Sequence, residues 1–288
     1  MTLLHVIILA VVQGLAELLP VSSSAHVIVA EKLMGMDPTA PETTLLLVML
    51  HTGTMFAVIA YFWRRWSRAF FQSAEDFKRF FVALVFATVV TGVVGGLLTK
   101  VIEKVAMGGE SQAWVEELFG RLDLIAGALA AAGILILIAG LREKLAGTQR
   151  SGMAKIDLGQ AGWIGAVQGL CLPFRGFSRS GATISTGMLT GVTKLRAEDF
   201  SFALAVVLTP VAVAREVLRL LKTHHMESLK SLAPSLTLSL LGAGFAFLAG
   251  LLALKWLSRW LETGKWYLFG IYCLVAAVVV GFLYHAGY

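Results

Sequence analysis

The sequence predicts an all-α polytopic membrane protein with six full membrane spans and two re-entrant helix-loop-helix hairpins. Of its 288 residues, 57% are hydrophobic and only 15% are charged, whereas soluble domains average about 25% charged residues. Six apolar stretches approach the roughly 20 residues that a helix needs to cross a bilayer. They cover residues 44–63, 80–101, 121–141, 198–221, 235–257 and 265–285. This pattern predicts a single integral membrane domain.

Two further apolar regions, residues 3–33 and 157–192, are interrupted near their middle. The first breaks at LLPVSSSAH (18–26) and the second at LPFRGFSRSG (172–181). Each flanking piece is too short to span a bilayer alone. Broken helices occur at membrane depth only where protein or a water-filled cavity surrounds the open backbone. We therefore expect both regions to form re-entrant hairpins.

The two interrupted regions also resemble each other. AVVQGL (10–15) recurs as GAVQGL (165–170), and a serine lies ten residues after the glutamine in both copies. Each hairpin is followed by three spans, an odd number, so the second copy would enter the membrane upside down. This predicts an inverted repeat, with repeat one at about 1–150 and repeat two at about 151–288. In such architectures the broken helices meet near the middle of the membrane.

The distribution of basic residues predicts the topology. Fourteen Lys and Arg residues fall on one side of the predicted spans and six on the other. The positive-inside rule places the first side in the cytoplasm and both termini outside. The first hairpin would then dip in from the outside and the second from the cytoplasm. No basic cluster is interleaved with polar or aromatic residues in the RNA-binding manner, so we expect no nucleic-acid partner.

Two polar residues of the first hairpin are candidates for a functional site. Gln13 and Glu17 are four positions apart and so share one face of a helix. Polar groups at membrane depth are costly and point to function. A carboxylate in this setting needs a metal, an arginine or a proton as its partner. A buried Glu17 that is merely capped by hydroxyl groups is the alternative.

The first hairpin continues with Ser22, Ser23, Ser24 and His26, at a predicted helix start after Pro20. One of these serines is interpreted as a helix N-cap. A nucleophilic serine beside a basic histidine is a second interpretation. The histidine could also serve as a metal ligand or a general acid. The residues alone leave these roles open.

The segment GFSRSGAT (176–183) of the second hairpin predicts a phosphate-binding loop. Free N–H groups at a helix start bind anions, and Arg179 can add bidentate hydrogen bonds to phosphate oxygens. The alternative is that Arg179 anchors a carboxylate such as Glu17. The other predicted members of this site are Ser178, Ser180, Gly181 and Thr183.

Polar residues in the span after each hairpin are given a structural interpretation. His51, Thr52 and Thr54 lie in one span, and Thr209 precedes Pro210 in its counterpart. We interpret them as parts of kinked helices whose hydroxyls bond to the backbone. A supporting role in lining the site is the alternative.

Two stretches, QGLAELLPVSSSAH (13–26) and GFSRSGATISTGMLTGV (176–192), resemble the signature regions of the bacterial undecaprenyl-diphosphate phosphatase family of the bacitracin-resistance type. The resemblance covers nearly the whole chain, including FWRRW (62–66) and FSFALAV (200–206). Two departures stand out. Gln13 occupies a position where many members have Glu. Phe174 and Arg175 separate Pro173 from Gly176, where the family pattern has Pro-Gly adjacent.

The resemblance implies an enzyme of the bacterial cytoplasmic (inner) membrane that removes the terminal phosphate of undecaprenyl diphosphate. Its products would be undecaprenyl phosphate and inorganic phosphate, which recycles the carrier lipid of peptidoglycan synthesis and confers bacitracin resistance. The resemblance also implies a divalent cation, Mg²⁺ or Ca²⁺, and an active site open to the outer, periplasmic face. The partners would be the isoprenyl diphosphate substrate and membrane lipids, and a homo-oligomer is left open.

The functional positions of the family fall on Gln13, Glu17, Ser23, His26, Ser178, Arg179 and Thr183. In this interpretation Arg179 and loop N–H groups, with Ser22, Ser178, Ser180 and Gly181 beside them, bind the phosphates. Glu17 would hold the cation together with the carbonyl of Gln13, because hard cations take oxygen ligands. The attacking group would be the Ser23 hydroxyl or a water, with His26 or Glu17 as the base.

Two rival functions are open at this point. An inverted-repeat transporter or flippase for a lipid phosphate would have the same architecture and the same basic loop. The serine and histidine beside Glu17 favour hydrolysis, because a carrier needs charge complementarity but no nucleophile. A purely structural membrane protein would leave the buried Arg179 and Glu17 unexplained.

Overall fold

The computed structural model of the chain describes residues 2–38, 40–107, 121–146, 155–223, 233–261 and 265–287. These described residues form ten α-helices. The helices are α1 (Leu3–Leu18), α2 (Ser23–Leu33), α3 (Pro41–Phe70), α4 (Ala74–Met107), α5 (Leu122–Ala146), α6 (Leu158–Cys171), α7 (Arg179–Leu189), α8 (Lys194–Thr223), α9 (Ala233–Leu261) and α10 (Tyr267–His285).

The six predicted spans are confirmed as helices that are long and apolar enough to cross a membrane: α3, α4, α5, α8, α9 and α10. Several of them extend beyond the predicted apolar stretch. Helix α3 continues to Phe70, seven residues past the predicted end at residue 63, because the charged residues at the membrane surface do not interrupt helical hydrogen bonding. The chain is therefore a multi-pass membrane protein.

The two interrupted regions are confirmed as pairs of short helices. Helices α1 and α2 have 16 and 11 residues, and α6 and α7 have 14 and 11. All four are shorter than a membrane span. The breaks fall at residues 19–22 and 172–178, inside the segments that the sequence predicts. The re-entrant insertion of these hairpins and the inverted orientation of the two repeats stay predictions.

Side-chain caps set the starts of the helices in the second hairpin. The Asp157 carboxylate accepts a hydrogen bond from the Gln160 N–H at 2.7 Å, and the Gln160 side chain accepts one from the Asp157 N–H at 3.1 Å. This reciprocal capping box fixes the start of α6. The Ser178 hydroxyl accepts a hydrogen bond from the Gly181 N–H at 3.2 Å and caps α7. The second of these caps places Arg179 as the first residue of its helix.

The short helices pack closely against long ones through small residues. Helix α1 packs on α9, α6 packs on α4, and α3 also packs on α9. A Cβ atom at Gly165 would lie 2.4 Å from the Ala87 carbonyl oxygen, and one at Gly53 would lie 2.1 Å from the Ala243 carbonyl oxygen. Close backbone approach at small residues is the usual way in which membrane helices associate. It ties the helix before each break to a membrane-spanning helix.

A buried ionic cluster ties α3 to α8. Arg65 forms an ion pair with Asp199, which is fully buried, and lies 3.6 Å from Glu198. Arg196 is 3.7 Å from the second oxygen of Asp199. The Arg65 guanidinium also lies 4.4 Å from the ring centroid of Phe62. These contacts fix the spacing of two helices that both line the cavity described below.

Replacing Gly53 with Ala is expected to lower the melting temperature of the protein in detergent, because the added methyl group would collide with the α9 backbone. Overpacking of this kind destabilises by about 1–3 kcal/mol. Gly92→Ala in α4 is the matched control, since a Cβ atom there meets nothing within 4 Å. The control should leave the melting temperature unchanged or raise it, because alanine favours helix more than glycine. Equal shifts for the two variants would contradict the close packing of α3 on α9.

Candidate functional site

The two helix breaks face each other around a cavity of about 340 Å³. The Ser180 hydroxyl of the second hairpin donates a hydrogen bond to the Leu19 carbonyl of the first at 3.3 Å. The Gly176 N–H donates to the Ser24 hydroxyl at 3.4 Å. The polar lining of the cavity includes Glu17, Ser22, Ser23, Ser24, Ser178, Arg179 and Ser180. The structure therefore brings together residues that are about 160 positions apart in the sequence.

Glu17 is the centre of the polar contacts in this cavity. One of its carboxylate oxygens accepts a hydrogen bond from Arg179 Nη2 at 2.6 Å. The other accepts one from the Ser23 hydroxyl at 2.5 Å and one from Gln13 Nε2 at 3.1 Å. Four residues that the sequence singles out are thus joined through a single carboxylate. The ion pair that the alternative interpretation of Arg179 requires is present.

Arg179 retains hydrogen-bonding capacity beyond its ion pair. Its Nη1 atom is buried and makes no hydrogen bond with any described residue. A buried donor without a partner is costly and is usually satisfied by a ligand or a water. The guanidinium can thus hold Glu17 through one nitrogen and an anion through another. This arrangement combines the two interpretations of Arg179 instead of choosing between them.

The backbone turn before α2 places Ser23 beside Glu17. Ser22 has φ +69° and ψ +91°, a left-handed conformation that non-glycine residues rarely adopt. Its carbonyl accepts a hydrogen bond from Nδ1 of His26, 2.7 Å away. Strained backbone of this kind clusters at functional sites, where the surrounding structure holds it in place. The turn directs the Ser23 hydroxyl to Glu17 at the first position of α2.

No hydrogen bond joins the His26 side chain to Glu17 or Ser23. Its Nδ1 donates to the Ser22 carbonyl, and its Nε2 lies 2.7 Å from the Tyr272 hydroxyl. The ring lines a separate, mostly apolar cavity of about 450 Å³. Since Nδ1 carries the hydrogen, Nε2 accepts a hydrogen bond from Tyr272. Catalysis by His26 stays a prediction, and these contacts instead support a role in holding the Ser22 turn.

Gly181 and Thr183 lie in the helix that Arg179 begins, and they are not part of the cavity lining. The Thr183 hydroxyl donates to the Arg179 carbonyl at 2.8 Å and lies 2.6 Å from the Ser201 hydroxyl of α8. A Cβ atom at Gly181 would lie 2.5 Å from Cδ1 of Ile136. The absence of a side chain at Gly181 lets α7 approach α5. Both residues therefore position Arg179, whereas direct contact with a ligand stays a prediction.

His51 is a site residue that the sequence interpretation underrates. Its Nε2 lies 3.7 Å from Glu17, and its Nδ1 donates to the Leu47 carbonyl at 2.8 Å. Its neighbours Thr52 and Thr54 bond to backbone carbonyls of their own helix, which confirms the predicted hydroxyl–backbone bonds for those two. The predicted helix kink stays a prediction. The presence of a histidine within a predicted span is the sequence feature that indicates a functional role, because burying an ionisable side chain in a membrane costs free energy.

The oxygen atoms around Glu17 suit a hard cation such as Mg²⁺ or Ca²⁺. The side-chain amide oxygen of Gln13, Oε1, is buried and makes no hydrogen bond with the residues that the structure describes. Within those residues, no cluster of three or more His, Cys, Asp and Glu side chains could hold a metal ion. A cation bound by Gln13 and Glu17 would therefore need further oxygen ligands from a substrate or from water.

Comparisons with known proteins agree on one family. The family model described as bacitracin resistance protein BacA matches residues 6–279. The chain is 57% identical to undecaprenyl-diphosphatase 2 of Acinetobacter baylyi, with 97% of each chain covered. It is 36% identical to undecaprenyl-diphosphatase 1 of Burkholderia pseudomallei, with 99% of each chain covered. It is 35% identical to undecaprenyl-diphosphatase 2 of Burkholderia orbicola, over 96% of this chain and 95% of the relative.

Replacing Arg179 with Lys is expected to weaken the binding of inorganic pyrophosphate to the purified protein by about tenfold or more. A lysine ammonium can pair with Glu17 but cannot present a second, fixed nitrogen to the anion. Equilibrium titration in detergent measures the effect. Arg142→Lys, at an exposed position near the end of α5, is the control and should bind like the wild type. Unchanged affinity in Arg179→Lys would contradict the anion-binding role of the guanidinium.

Proposed function

This chain belongs to the bacitracin resistance protein BacA family, and we propose that it is an undecaprenyl-diphosphatase whose active site is the cavity around Glu17 and Arg179. It removes the terminal phosphate of undecaprenyl diphosphate and yields undecaprenyl phosphate and inorganic phosphate. The reaction regenerates the carrier lipid of peptidoglycan synthesis, and bacitracin resistance follows from family membership. The substrate is a membrane lipid, which accounts for a phosphate-binding loop inside a membrane protein.

One observation supports this assignment above the others. The Glu17 carboxylate accepts a hydrogen bond from the Ser23 hydroxyl and pairs with Arg179 at the same time. A carboxylate bonded to a hydroxyl can remove its proton as the oxygen attacks, and an adjacent arginine can bind the phosphoryl group. A carrier would need the arginine but would not need the hydroxyl directed at the carboxylate.

The geometry supports a two-step reaction. Arg179 binds the terminal phosphate through Nη1, and Ser23 Oγ attacks its phosphorus while Glu17 accepts the hydroxyl proton. The bond to the bridging oxygen breaks, and undecaprenyl phosphate leaves. Glu17 passes its proton to the departing undecaprenyl phosphate and is ionised again, so it can act as the base when water attacks the phosphoserine. The bond between phosphorus and Ser23 Oγ breaks, Glu17 returns the proton to Oγ, and inorganic phosphate is released. Direct attack by water, activated by the same carboxylate, is the alternative for the first step.

We propose that Glu17 and the side-chain carbonyl of Gln13 hold a divalent cation, Mg²⁺ or Ca²⁺, with the Gln13 amide turned so that its oxygen and not its nitrogen faces Glu17. A bound cation would neutralise phosphate charge as the bond to the leaving group breaks. Phosphoryl transfer depends mainly on positioning and charge stabilisation, so the cation would act beside Arg179. His51, whose Nε2 lies 3.7 Å from Glu17, would keep the carboxylate oriented.

The fold and the proposed substrate support a location in the bacterial cell envelope. We propose that the protein resides in the bacterial cytoplasmic membrane with the cavity open to the outer face. The loop-charge distribution supports this orientation. The isoprenyl chain would remain among the lipid-facing helices while the diphosphate enters the cavity.

The direct test is phosphate release from undecaprenyl diphosphate by the purified protein in detergent, with and without EDTA. We expect release that EDTA blocks and that added Mg²⁺ or Ca²⁺ restores. Glu17→Gln, which keeps the size of the side chain, should release no phosphate. A folded wild-type protein that releases none would contradict the proposal and favour a lipid-phosphate carrier, which vesicle flip assays would then examine.

Replacing Ser23 with Ala is expected to lower kcat by at least about 10³-fold, the scale of loss seen when a covalent nucleophile is removed. Ser24→Ala is the matched control, because Ser24 bonds Gly176 of the second hairpin and is not bonded to Glu17. The control should keep kcat within about tenfold of the wild type. A loss of only about tenfold in Ser23→Ala would show that water, and not the serine, attacks the phosphorus.

A further inference from the structure

Glu31 is a second carboxylate in the cavity that the reaction above does not use. It lies in α2, is only 1% exposed, and lines the same cavity as Glu17. Neither of its carboxylate oxygens has a hydrogen-bond partner among the described residues. A buried carboxylate without hydrogen bonds is expensive unless an opposite charge compensates it. Its presence therefore needs an explanation.

Arg175 supplies the opposite charge. Both side chains line the same cavity, Arg175 from the loop before α7 and Glu31 from α2. Neither carboxylate oxygen of Glu31 accepts a hydrogen bond from a described residue, so Arg175 does not donate to Glu31. An ionised carboxylate and a guanidinium that share one buried space attract each other, and this attraction favours a guanidinium that stays in the cavity.

The loop that carries Arg175 is folded into a defined turn. The Phe177 N–H donates to the Phe174 carbonyl at 3.2 Å, and Gly176 has φ +101°. A positive φ at the third position and a bond from the fourth residue to the first describe a type II turn, with Arg175 at the second position. A Cβ atom at Gly176 would lie 2.7 Å from the Ile125 carbonyl. The Phe174–Arg175 extension is therefore an ordered turn that places an arginine in the cavity lining.

We propose that Arg175 is a second phosphate-binding side chain for the diphosphate, and that Glu31 is the positioning residue that directs its guanidinium into the cavity. The identity of the substrate rests on the proposed function above. A diphosphate carries more negative charge than Arg179 can offset, because Glu17 already neutralises that arginine. Within the described lining of the cavity, Arg175 is the other arginine. It binds the substrate and takes no part in proton transfer.

Substitution of Arg175 tests the binding role. Arg175→Gln should raise the KM for undecaprenyl diphosphate about tenfold and leave kcat within about twofold. Lys32→Gln is the matched control, because it removes a positive charge next to Glu31 in α2 at a position outside the cavity lining. The control should change KM less than twofold. Equal KM values for the two variants would overturn the proposal.

A double-mutant cycle tests the positioning role of Glu31. Glu31→Gln should raise KM about threefold in the wild-type background and have no further effect in the Arg175→Gln background, because the group that it positions is then absent. A merely structural role would give the same change in both backgrounds and would overturn the positioning claim. Should Arg175→Gln fail to fold, Arg175→Lys serves in its place, with an expected KM between those of the wild type and Arg175→Gln.

Binding of inorganic pyrophosphate separates this proposal from the proposed function. The wild type should bind pyrophosphate about tenfold more tightly than Arg175→Gln in an equilibrium titration. Equal affinities would overturn the role of Arg175 even if the wild type releases phosphate from the lipid. A tenfold difference, together with no release from the lipid by either protein, would support Arg175 as an anion ligand and contradict the diphosphatase assignment.

Discussion

The ion pair between Glu17 and Arg179 is the contact on which the rest of the site depends. Each partner lies in an interrupted helix of a membrane protein, where a single unpaired charge would be severely destabilising. Each is tenable because the other lies 2.6 Å away. The pair therefore requires the two helix breaks, about 160 residues apart in the chain, to meet at one place.

The surrounding fold satisfies that requirement by several independent contacts. Hydrogen bonds from Ser180 to Leu19 and from Gly176 to Ser24 join the two loops directly. Thr183 ties the helix of Arg179 to α8, and the Arg65 cluster ties α8 to α3. Such a frame would hold the proposed catalytic groups in place before the substrate arrives, which is where much of the catalytic advantage in phosphoryl transfer lies.

The same pair explains how the site can change from a resting to a reacting state. In the structure Glu17 is shared between Arg179 and Ser23. A phosphate bound at Nη1 would share the guanidinium with Glu17, which would weaken the ion pair and leave the carboxylate more available to the serine proton. Substrate binding and activation of the nucleophile would then be coupled through one carboxylate, without a separate switch.

Much of the fold and part of the site could be predicted from the sequence. Long apolar stretches revealed the six spans, because a bilayer imposes a fixed length on a helix. Polar residues at membrane depth revealed Gln13, Glu17, Ser23 and Arg179. The sequence could not show that His51 approaches Glu17, that His26 turns toward Tyr272, or that the turn of Arg175 lines the same cavity as Glu31. Those contacts depend on how helices that are distant in the chain pack together, and local sequence patterns do not determine that packing.

A structure of the protein bound to a methylene analogue of undecaprenyl diphosphate, which cannot be hydrolysed, would test the central claim most directly. We expect the terminal phosphonate within hydrogen-bond distance of Arg179 Nη1 and its phosphorus next to Ser23 Oγ, with the isoprenyl chain among the lipid-facing helices. A phosphonate bound elsewhere, with the Glu17–Arg179 pair undisturbed and no contact to Ser23, would contradict the account.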